Sequence, residues 1–334
     1  MTAPLLEVRD LRVRFDGDDG SVSAVNGVSF AVAPGEALAL VGESGSGKSV
    51  SMLSVMGLLP PVARVEAGEV LWRGRDLLRL SERELQGVRG REVAMVYQDP
   101  QSSLNPALTV GTQLTMVLRH HLGLGRRAAR ARAAELLALV GIPEPQRRLD
   151  EYPHRFSGGQ RQRILIALAL ACDPRLLIAD EPTTALDVTI QAQILDLVRR
   201  LREQLEMAIV WITHDLGVVA GLVDRVAVMY GGTIVEEAPV RELFAAPSHP
   251  YTVGLLAAMP RLDEPRSARL RSIPGAPQSL AAPPVACPFA PRCEWAVARC
   301  SEELPALRPA GPLARAACHR ADEVRARTEA TVTR

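Results

Sequence analysis

The 334-residue chain is 47% hydrophobic and carries a formal net charge of +1 at pH 7. This length fits one large domain and a smaller one, since domains usually span about 100–200 residues. A net charge near zero argues against loose electrostatic binding to nucleic acid or to anionic lipid, which needs a strong basic excess. We therefore expect a globular protein with a buried core and no nucleic-acid partner.

The apolar segments of the chain are too short to cross a bilayer. The longest candidate, Ile164–Cys172, is followed by Asp173 and Pro174, and it falls well below the ~20 residues of a transmembrane helix. The first ten residues include charged side chains and lack the apolar core of a signal peptide. We expect the chain to stay in the cytosol, where disulfide bonds are rare.

Short apolar runs alternate with longer helical patterns over the first 240 residues. From Ile190 to Leu205, apolar residues recur at helical spacing, with arginines on the opposite face. Apolar runs bounded by turn or polar residues predict buried strands at Ala37–Val41, Val93–Tyr97, Leu176–Ala179, Met207–Thr213 and Val226–Tyr230. Strands that alternate with helices predict an α/β fold around a largely parallel sheet.

A glycine-rich loop follows the first of these predicted strands and precedes an apolar helical run. It has the spacing and the Lys-Ser ending of a phosphate-binding loop, which a plain Gly/Ser-rich turn does not explain. Its backbone N–H groups would surround phosphate oxygens, Lys48 would reach the β- and γ-phosphates, and Ser49 would bind Mg²⁺. The candidate residues are Gly42, Glu43, Ser44, Gly45, Ser46, Gly47, Lys48 and Ser49.

Two acidic residues end the predicted strand Leu176–Ala179. Asp180 is placed to join the Mg²⁺ shell, and Glu181 is placed to polarise the attacking water. An apolar run that ends in Asp-Glu is common on its own. It becomes a specific signal because it follows a phosphate-binding loop in the same chain.

The string Ser-Gly-Gly-Gln-Arg at 157–161 lies 19 residues before Leu176. A Ser hydroxyl, glycine amides and a following helix N-terminus form an anion site. With this string the chain resembles the ABC ATPase superfamily, whose signature contacts the γ-phosphate of ATP bound to the other subunit of a dimer. The alternative, a capped helix start, explains Ser157 but not the whole string. The resemblance gives this role to Ser157, Gly158, Gly159 and Gln160.

The resemblance implies roles for further residues. It makes Gln98 a contact of Mg²⁺ and water, and places 185–187 (Ala-Leu-Asp) in the loop that crosses to the partner subunit. It also assigns His214 to the γ-phosphate and Phe15 to a stack on adenine. A structural His214 and a core Phe15 are the alternatives. The chain departs from the family at Tyr97, where Phe is frequent, and at Gln160, where Met is frequent.

Longer strings resemble the ATPase subunits of oligopeptide, dipeptide and nickel importers. The match extends to about residue 320, and two of its strings resemble the D-type more than the F-type subunit. The strings that carry the D-type likeness lie at 56–60 and 178–187. The strings that carry the importer likeness lie at 98–106, 187–194, 249–252, 255–260, 273–277 and 287–293.

This resemblance implies an ATPase that energises import of a solute, with di- and oligopeptides expected first. Its expected partners are a second, F-type ABC ATPase, two transmembrane permease subunits and an extracytoplasmic solute-binding protein. The resemblance places the chain peripherally on the cytoplasmic face of the inner membrane. Import of nickel or another small solute, and a non-transport ABC ATPase, are the alternatives. Intact Lys48, Asp180, Glu181 and His214 oppose a regulatory protein with a dead ATP site.

We predict a nucleotide-binding domain over residues 1–245, with a helical subdomain at about 100–160, and an irregular, Pro-rich extension over 246–334. The residues after Arg320 are polar and are predicted to be frayed. Four thiolates in the extension suit Zn²⁺ or an iron–sulfur cluster. Their spacing lacks C-x₂-C pairs, which favours iron–sulfur, and the family resemblance also points to a 4Fe-4S cluster; zinc and free thiols are the alternatives. These residues are Cys287, Cys293, Cys300 and Cys318.

Overall fold

The computed structural model describes residues 3–17, 20–184, 186–259, 272–278 and 280–332. The chain divides into two compact units. The first unit comprises residues 1–32, 37–78 and 212–334, and the second comprises residues 33–36 and 79–211.

Strands and helices follow one another along both units. The strands are β1 (Leu6–Gly17), β2 (Gly20–Val32), β3 (Ala37–Val41), β4 (Ala63–Trp72), β5 (Arg75–Asp76), β6 (Val93–Val96), β7 (Leu176–Asp180), β8 (Ala208–Thr213), β9 (Arg225–Tyr230), β10 (Thr233–Pro239), β11 (Arg308–Pro309) and β12 (Arg315–Ala316). The helices are α1 (Lys48–Val55), α2 (Glu82–Val88), α3 (Pro100–Ser103), α4 (Val110–Leu122), α5 (Arg126–Leu139), α6 (Pro145–Arg148), α7 (Gly158–Ala169), α8 (Val188–Leu205), α9 (Leu216–Val219), α10 (Val240–Ala245), α11 (Pro250–Ala257), α12 (Ala298–Glu302) and α13 (Ala321–Val332). Short 3₁₀ helices cover Leu77–Arg79, Pro153–Arg155 and Ala290–Arg292.

The first unit begins with an antiparallel sheet in the order β2-β1-β4-β5. Leu6, Val8, Leu11 and Val13 of β1 are buried, while their neighbours along the strand are more exposed, as expected for a sheet with one covered face. Register shifts interrupt the pairing of β1 with both neighbours. These irregularities break the strict alternation by which a sequence signals a strand, and β1, β2 and β4 were not predicted from the sequence.

A second set of strands in the first unit runs in the order β11-β12-β10-β9-β3. The predicted strand Ala37–Val41 is confirmed as β3, and it pairs in parallel with β9. All five residues of β3 are buried, which explains its continuous apolar sequence. The backbone N–H of Ala37 donates to a carboxylate oxygen of Asp224 at 2.9 Å, which anchors the start of β3.

The second unit holds β6 and β7, which pair in parallel from Val93↔Leu176 to Val96↔Ala179, and most of β8, which lies beside β7. The predicted amphipathic helix is confirmed as α8, with Asp187 as its N-cap. Helices α4, α5 and α6 lie in the predicted helical region. Among the described residues, no helix has the length and apolarity needed to cross a membrane.

The C-terminal region contains more regular structure than expected. The prediction that residues after Arg320 are frayed is wrong, because Ala321–Val332 form helix α13. Val324 is fully buried, the Arg325 guanidinium pairs with Glu242 at 3.0 Å, and the Thr328 hydroxyl donates to the carbonyl of Pro247 at 3.2 Å. Tertiary contacts therefore stabilise a helix whose sequence is mostly polar.

Candidate nucleotide site

The glycine-rich loop Gly42–Ser49 joins β3 to α1 within the first unit. The Lys48 ammonium donates to the carbonyl oxygens of Gly42 at 2.7 Å and Glu43 at 2.9 Å, and to the hydroxyl of Ser46 at 3.2 Å. Ser46 and Lys48 are both buried. The lysine therefore folds back over its own loop and places a positive charge among its carbonyls, where a phosphate group would be its strongest partner.

Gly47 is restricted both by its own backbone conformation and by the neighbouring backbone. It caps α1 with a φ of +97°, in the left-handed region. A Cβ atom at this position would lie 2.5 Å from the carbonyl oxygen of Ala24 in β2. Only glycine satisfies both restrictions, so this position fixes the path of the backbone into the helix N-terminus.

In the second unit, two of the predicted catalytic residues contact each other. The Gln98 amide donates to a carboxylate oxygen of Glu181 at 3.2 Å. The Thr184 hydroxyl donates to the same oxygen at 2.9 Å. Asp180 is buried at the end of β7, whereas Gln98 is exposed and Glu181 is half-buried. Thr184 was not predicted from the sequence, since nothing in its spacing indicates that it orients a carboxylate.

Glu181 has a strained backbone. Its φ is +44°, a conformation that residues other than glycine, Asn and Asp rarely adopt. Strain of this kind persists where the surrounding structure enforces it, and it concentrates at functional sites. The two hydrogen bonds from Gln98 and Thr184 hold the carboxylate in a defined orientation.

The signature string opens helix α7. The Gln160 N–H donates to the Ser157 hydroxyl at 3.3 Å, and the Ser157 N–H donates to the Gln160 side chain at 3.1 Å, so the two residues form a capping box. A Cβ atom on Gly159 would lie 2.6 Å from Ile190 of α8. The capping box thus gives Ser157 and Gln160 a structural role, and the close packing of α7 against α8 gives one to Gly159. Ser157 and Gly158 are nevertheless exposed.

The other predicted residues occupy defined positions. Phe15 lies on β1 opposite Val22 and Ala63 and is half-buried. His214 directly follows β8 and is exposed. Of the predicted crossing loop, Ala185 lies outside the described residues, and Asp187 caps α8 by accepting from the Ile190 N–H at 2.9 Å.

The predicted site residues are therefore divided between the units. Phe15, the phosphate-binding loop and His214 belong to the first unit, and Gln98, the signature, Asp180 and Glu181 belong to the second. Within the second unit the structure brings Gln98 and Glu181 together. Within the first, it brings Lys48 into contact with the start of its own loop.

The four cysteines of the C-terminal region are free thiols. The N–H of Cys287 donates to the carbonyl of Cys300 at 3.0 Å. Burial raises the pKa of Cys293 to about 11 and that of Cys318 to about 12, and the neighbouring thiols contribute to both shifts. Among the described residues, however, no group of three or more His, Cys, Asp or Glu side chains is arranged to hold a metal ion. This arrangement does not support the predicted 4Fe-4S cluster.

Solved structures with the same fold are ABC transporter ATPases. A dimeric post-hydrolysis structure of the ATP-binding cassette MJ0796, bound to ADP and Pi, is 28% identical with a TM-score of 0.64, over 71% of this chain and 99% of that one. A structure of cbiO1 from Clostridium perfringens, part of the ABC transporter complex cbiONQ, is 27% identical with a TM-score of 0.62, over 73% and 92%. The predicted α/β fold of an ABC ATPase is thereby confirmed.

Sequence comparison identifies the group of ABC transporter ATPases that this chain resembles. The ABC transporter family model matches residues 25–184, and the model of the oligopeptide/dipeptide transporter C-terminal region matches residues 235–300. The oligopeptide transport ATP-binding protein OppD of Bacillus subtilis is 54% identical over 88% of this chain and 82% of its own length. The dipeptide transport ATP-binding protein DppD of the same organism is 52% identical over 90% of each chain. The chain belongs to this family of ABC transporter ATP-binding proteins, and it is an ATPase of that class.

Proposed function

We propose that this chain hydrolyses ATP to drive the import of di- and oligopeptides. The observation that carries the proposal is the match of residues 235–300 to the C-terminal region of oligopeptide and dipeptide transporters. Relatives described as oligopeptide and dipeptide transport proteins share more than half of their aligned residues with this chain. Nickel or another small solute is the alternative cargo that the sequence leaves open.

The proposed roles of the site residues follow from their chemistry. Lys48 and the amides of its loop bind the phosphates of ATP, and Ser49 and Asp180 hold Mg²⁺ with the help of Gln98. Glu181 accepts a proton from the attacking water; its contacts with Gln98 and Thr184 support this role because they orient the carboxylate. The further roles proposed are the γ-phosphate contact of His214 and the adenine stack of Phe15.

The proposed assembly contains a second ABC ATPase of the F-type, two transmembrane permease subunits and an extracytoplasmic solute-binding protein. We place the chain peripherally on the cytoplasmic face of the inner membrane. In this assembly the signature residues Ser157 to Gln160 contact ATP that is bound by the partner ATPase. The exposure of Ser157 and Gly158 supports this role.

The proposal is tested by peptide uptake in the host cell. A strain that lacks this chain is complemented either with the wild type or with Glu181→Gln, and uptake of a labelled tripeptide, a labelled amino acid and nickel is followed. We expect tripeptide uptake to return only with the wild type, and amino-acid uptake to be the same in all strains. If nickel uptake depends on the chain and tripeptide uptake does not, the cargo is nickel and not a peptide.

We also retain the four-cysteine metal site as a proposal. It is supported by a backbone hydrogen bond from Cys287 to Cys300 and by two turns that link Cys287, through Ala290, to Cys293. Binding would require the thiols to lose their protons and turn toward one point, and the bound group would stabilise a region with a small core. Anaerobic purification followed by iron, sulfide and zinc analysis tests it. Zinc in place of iron would contradict the iron–sulfur cluster, and the absence of both metals would contradict the metal site itself.

A further inference from the structure

The C-terminal region contacts the phosphate-binding loop directly. The guanidinium of Arg292 donates to both carboxylate oxygens of Glu43, at 2.6 Å from Nη1 and 3.1 Å from Nη2. Glu43 is the second residue of the glycine-rich loop, and Arg292 precedes Cys293 in the extension. The pair is therefore a two-point, charge-assisted contact, which fixes direction as well as distance.

The surroundings of Arg292 hold it in one position. Only 5% of its side chain is exposed. Its guanidinium lies over the rings of Tyr230 and Phe289, 5.7 and 5.9 Å from their centroids, and its Nε donates to the carbonyl of Pro274 at 2.7 Å. An arginine fixed on aromatic faces and a backbone carbonyl loses little further freedom when it binds a carboxylate.

A second contact from the same region reaches the backbone of the loop. The Glu43 N–H donates to the hydroxyl oxygen of Tyr251 at 2.8 Å. Tyr251 is fully buried near the start of α11, and its ring packs against those of Tyr230 and Phe289. The clamp, as we call Arg292 and Tyr251, thus holds both the side chain and the amide of Glu43.

The clamp also determines which backbone amide of the loop is already hydrogen-bonded within the chain. The Glu43 N–H is already used by Tyr251, so it is not one of the groups that face phosphate. The Glu43 carbonyl accepts from Lys48 at 2.9 Å, so the position of Glu43 affects the ammonium that serves the phosphates. Displacing Glu43 would therefore displace an acceptor of Lys48.

We propose that Arg292 is a positioning residue for ATP binding, which acts through Glu43 and together with Tyr251 holds the phosphate-binding loop in its binding shape. The proposal rests on the proposed nucleotide site at this loop. Arg292 contacts neither the phosphates nor the attacking water in this account. Its loss should raise the KM for ATP and leave kcat at saturating ATP nearly unchanged.

The test measures affinity for a fluorescent ATP analogue in the full-length chain. We expect Arg292→Gln to weaken binding about 10-fold, within the range of coupled groups in one hydrogen-bond network. Arg292→Lys should recover part of this loss, because a lysine supplies the charge but not the paired contact. Tyr251→Phe keeps the ring and removes one acceptor, and should weaken binding about 3-fold.

Arg325→Gln is the matched control. Arg325 is a mostly buried arginine of the same C-terminal region, and it pairs with Glu242 rather than with the loop. We expect this variant to lower the thermal unfolding temperature and to leave ATP affinity within about 2-fold of the wild type. Equal losses of affinity in the Arg292 and Arg325 variants would overturn the proposal, since general destabilisation would then explain both.

A double-mutant cycle isolates the pair. If Arg292 acts through Glu43, the variant with both Arg292→Gln and Glu43→Gln should bind ATP no more weakly than the weaker single variant. Effects that multiply would overturn the proposal, as would unchanged affinity in Arg292→Gln. Should Arg292→Gln fail to fold, Glu43→Gln and Tyr251→Phe carry the test alone. Lys48→Ala tests the proposed nucleotide site separately from the role of Arg292. If this variant binds ATP normally, the nucleotide site itself is wrong.

Discussion

The phosphate-binding loop and the signature string are both glycine-rich segments that lead into a helix, yet the chain treats them differently. Ser46, Gly47 and Lys48 of the first are buried and held from several sides. Ser157 and Gly158 of the second are exposed, and the string is held mainly by the capping box of its own helix and by packing at Gly159. The first segment is shaped by its own chain, whereas the second presents its polar groups outward, as the proposed role toward a partner's nucleotide requires.

The largest effect is expected on the rate of ATP hydrolysis, for a variant that should still bind ATP. Glu181→Gln should lower ATP turnover of the assembled transporter about 10²–10⁴-fold, because an amide cannot accept the proton of the attacking water. ATP affinity should stay within a few fold of the wild type. Turnover and nucleotide binding are measured on the same preparation. Normal turnover in this variant would remove Glu181 from the proposed mechanism.

The loop itself is tested by Lys48→Ala. Hydrogen bonds to charged groups contribute about 1.5–3 kcal/mol each, so we expect ATP affinity to fall by roughly 10-fold to 100-fold. Equilibrium binding of a fluorescent ATP analogue to the isolated chain measures it. Arg130→Gln, which removes an exposed pair with Asp150 in the second unit, is a suitable control and should bind ATP normally.

The residues that support the loop also predict a pH-dependent effect, on the free energy of unfolding. His249 caps α11 by accepting from the Tyr251 N–H at 3.0 Å, and its burial lowers its pKa to about 3. The unfolded chain binds a proton at this residue below about pH 6.5 and the folded chain does not, so this stabilisation is complete above about pH 6.5 and is lost as the pH falls toward 3.

His249→Asn keeps a side chain suited to the cap and removes the titration. Between pH 6 and pH 4, the wild type should lose unfolding free energy relative to this variant by about 1.4 kcal/mol per pH unit. The two chains must be compared at equal pH, because burial raises the pKa of the neighbouring Glu236 to about 7. This carboxyl therefore makes the folded state more stable as the pH falls, which is opposite to the effect of His249. Chemical denaturation at several pH values measures both chains, and a constant difference between them would contradict the prediction.

Much of the loop and of β3 follows from the sequence, because a continuous apolar strand and a spaced run of glycines are local signals. The clamp does not follow in this way. Arg292 and Glu43 are 249 residues apart, and the importer-like string that contains Arg292 says nothing about what it contacts. Similarly, Thr184 joins Glu181 only because the strained turn after β7 brings its hydroxyl back to the carboxylate.

The errors have physical causes as well. Helix α13 was predicted as a frayed tail because its sequence is polar; its stability comes from the burial of Val324 and the Arg325–Glu242 pair. The sheet of β1, β2 and β4 was not predicted, because its register shifts disrupt alternation. Backbone hydrogen bonds link Cys287 to Cys300 and, through Ala290, to Cys293, but the thiols are not arranged as metal ligands in the described residues.

The most direct test of the contrast between the two segments is site-resolved photolabelling with an ATP analogue in the assembled transporter. Ser157→Arg should leave labelling of this chain unchanged and should reduce labelling of the partner ATPase, because the signature acts on the partner's nucleotide. Ser157→Thr, which keeps a hydroxyl for the cap, should label both chains normally. Loss of labelling on this chain in Ser157→Arg, with the partner's labelling intact, would contradict the account.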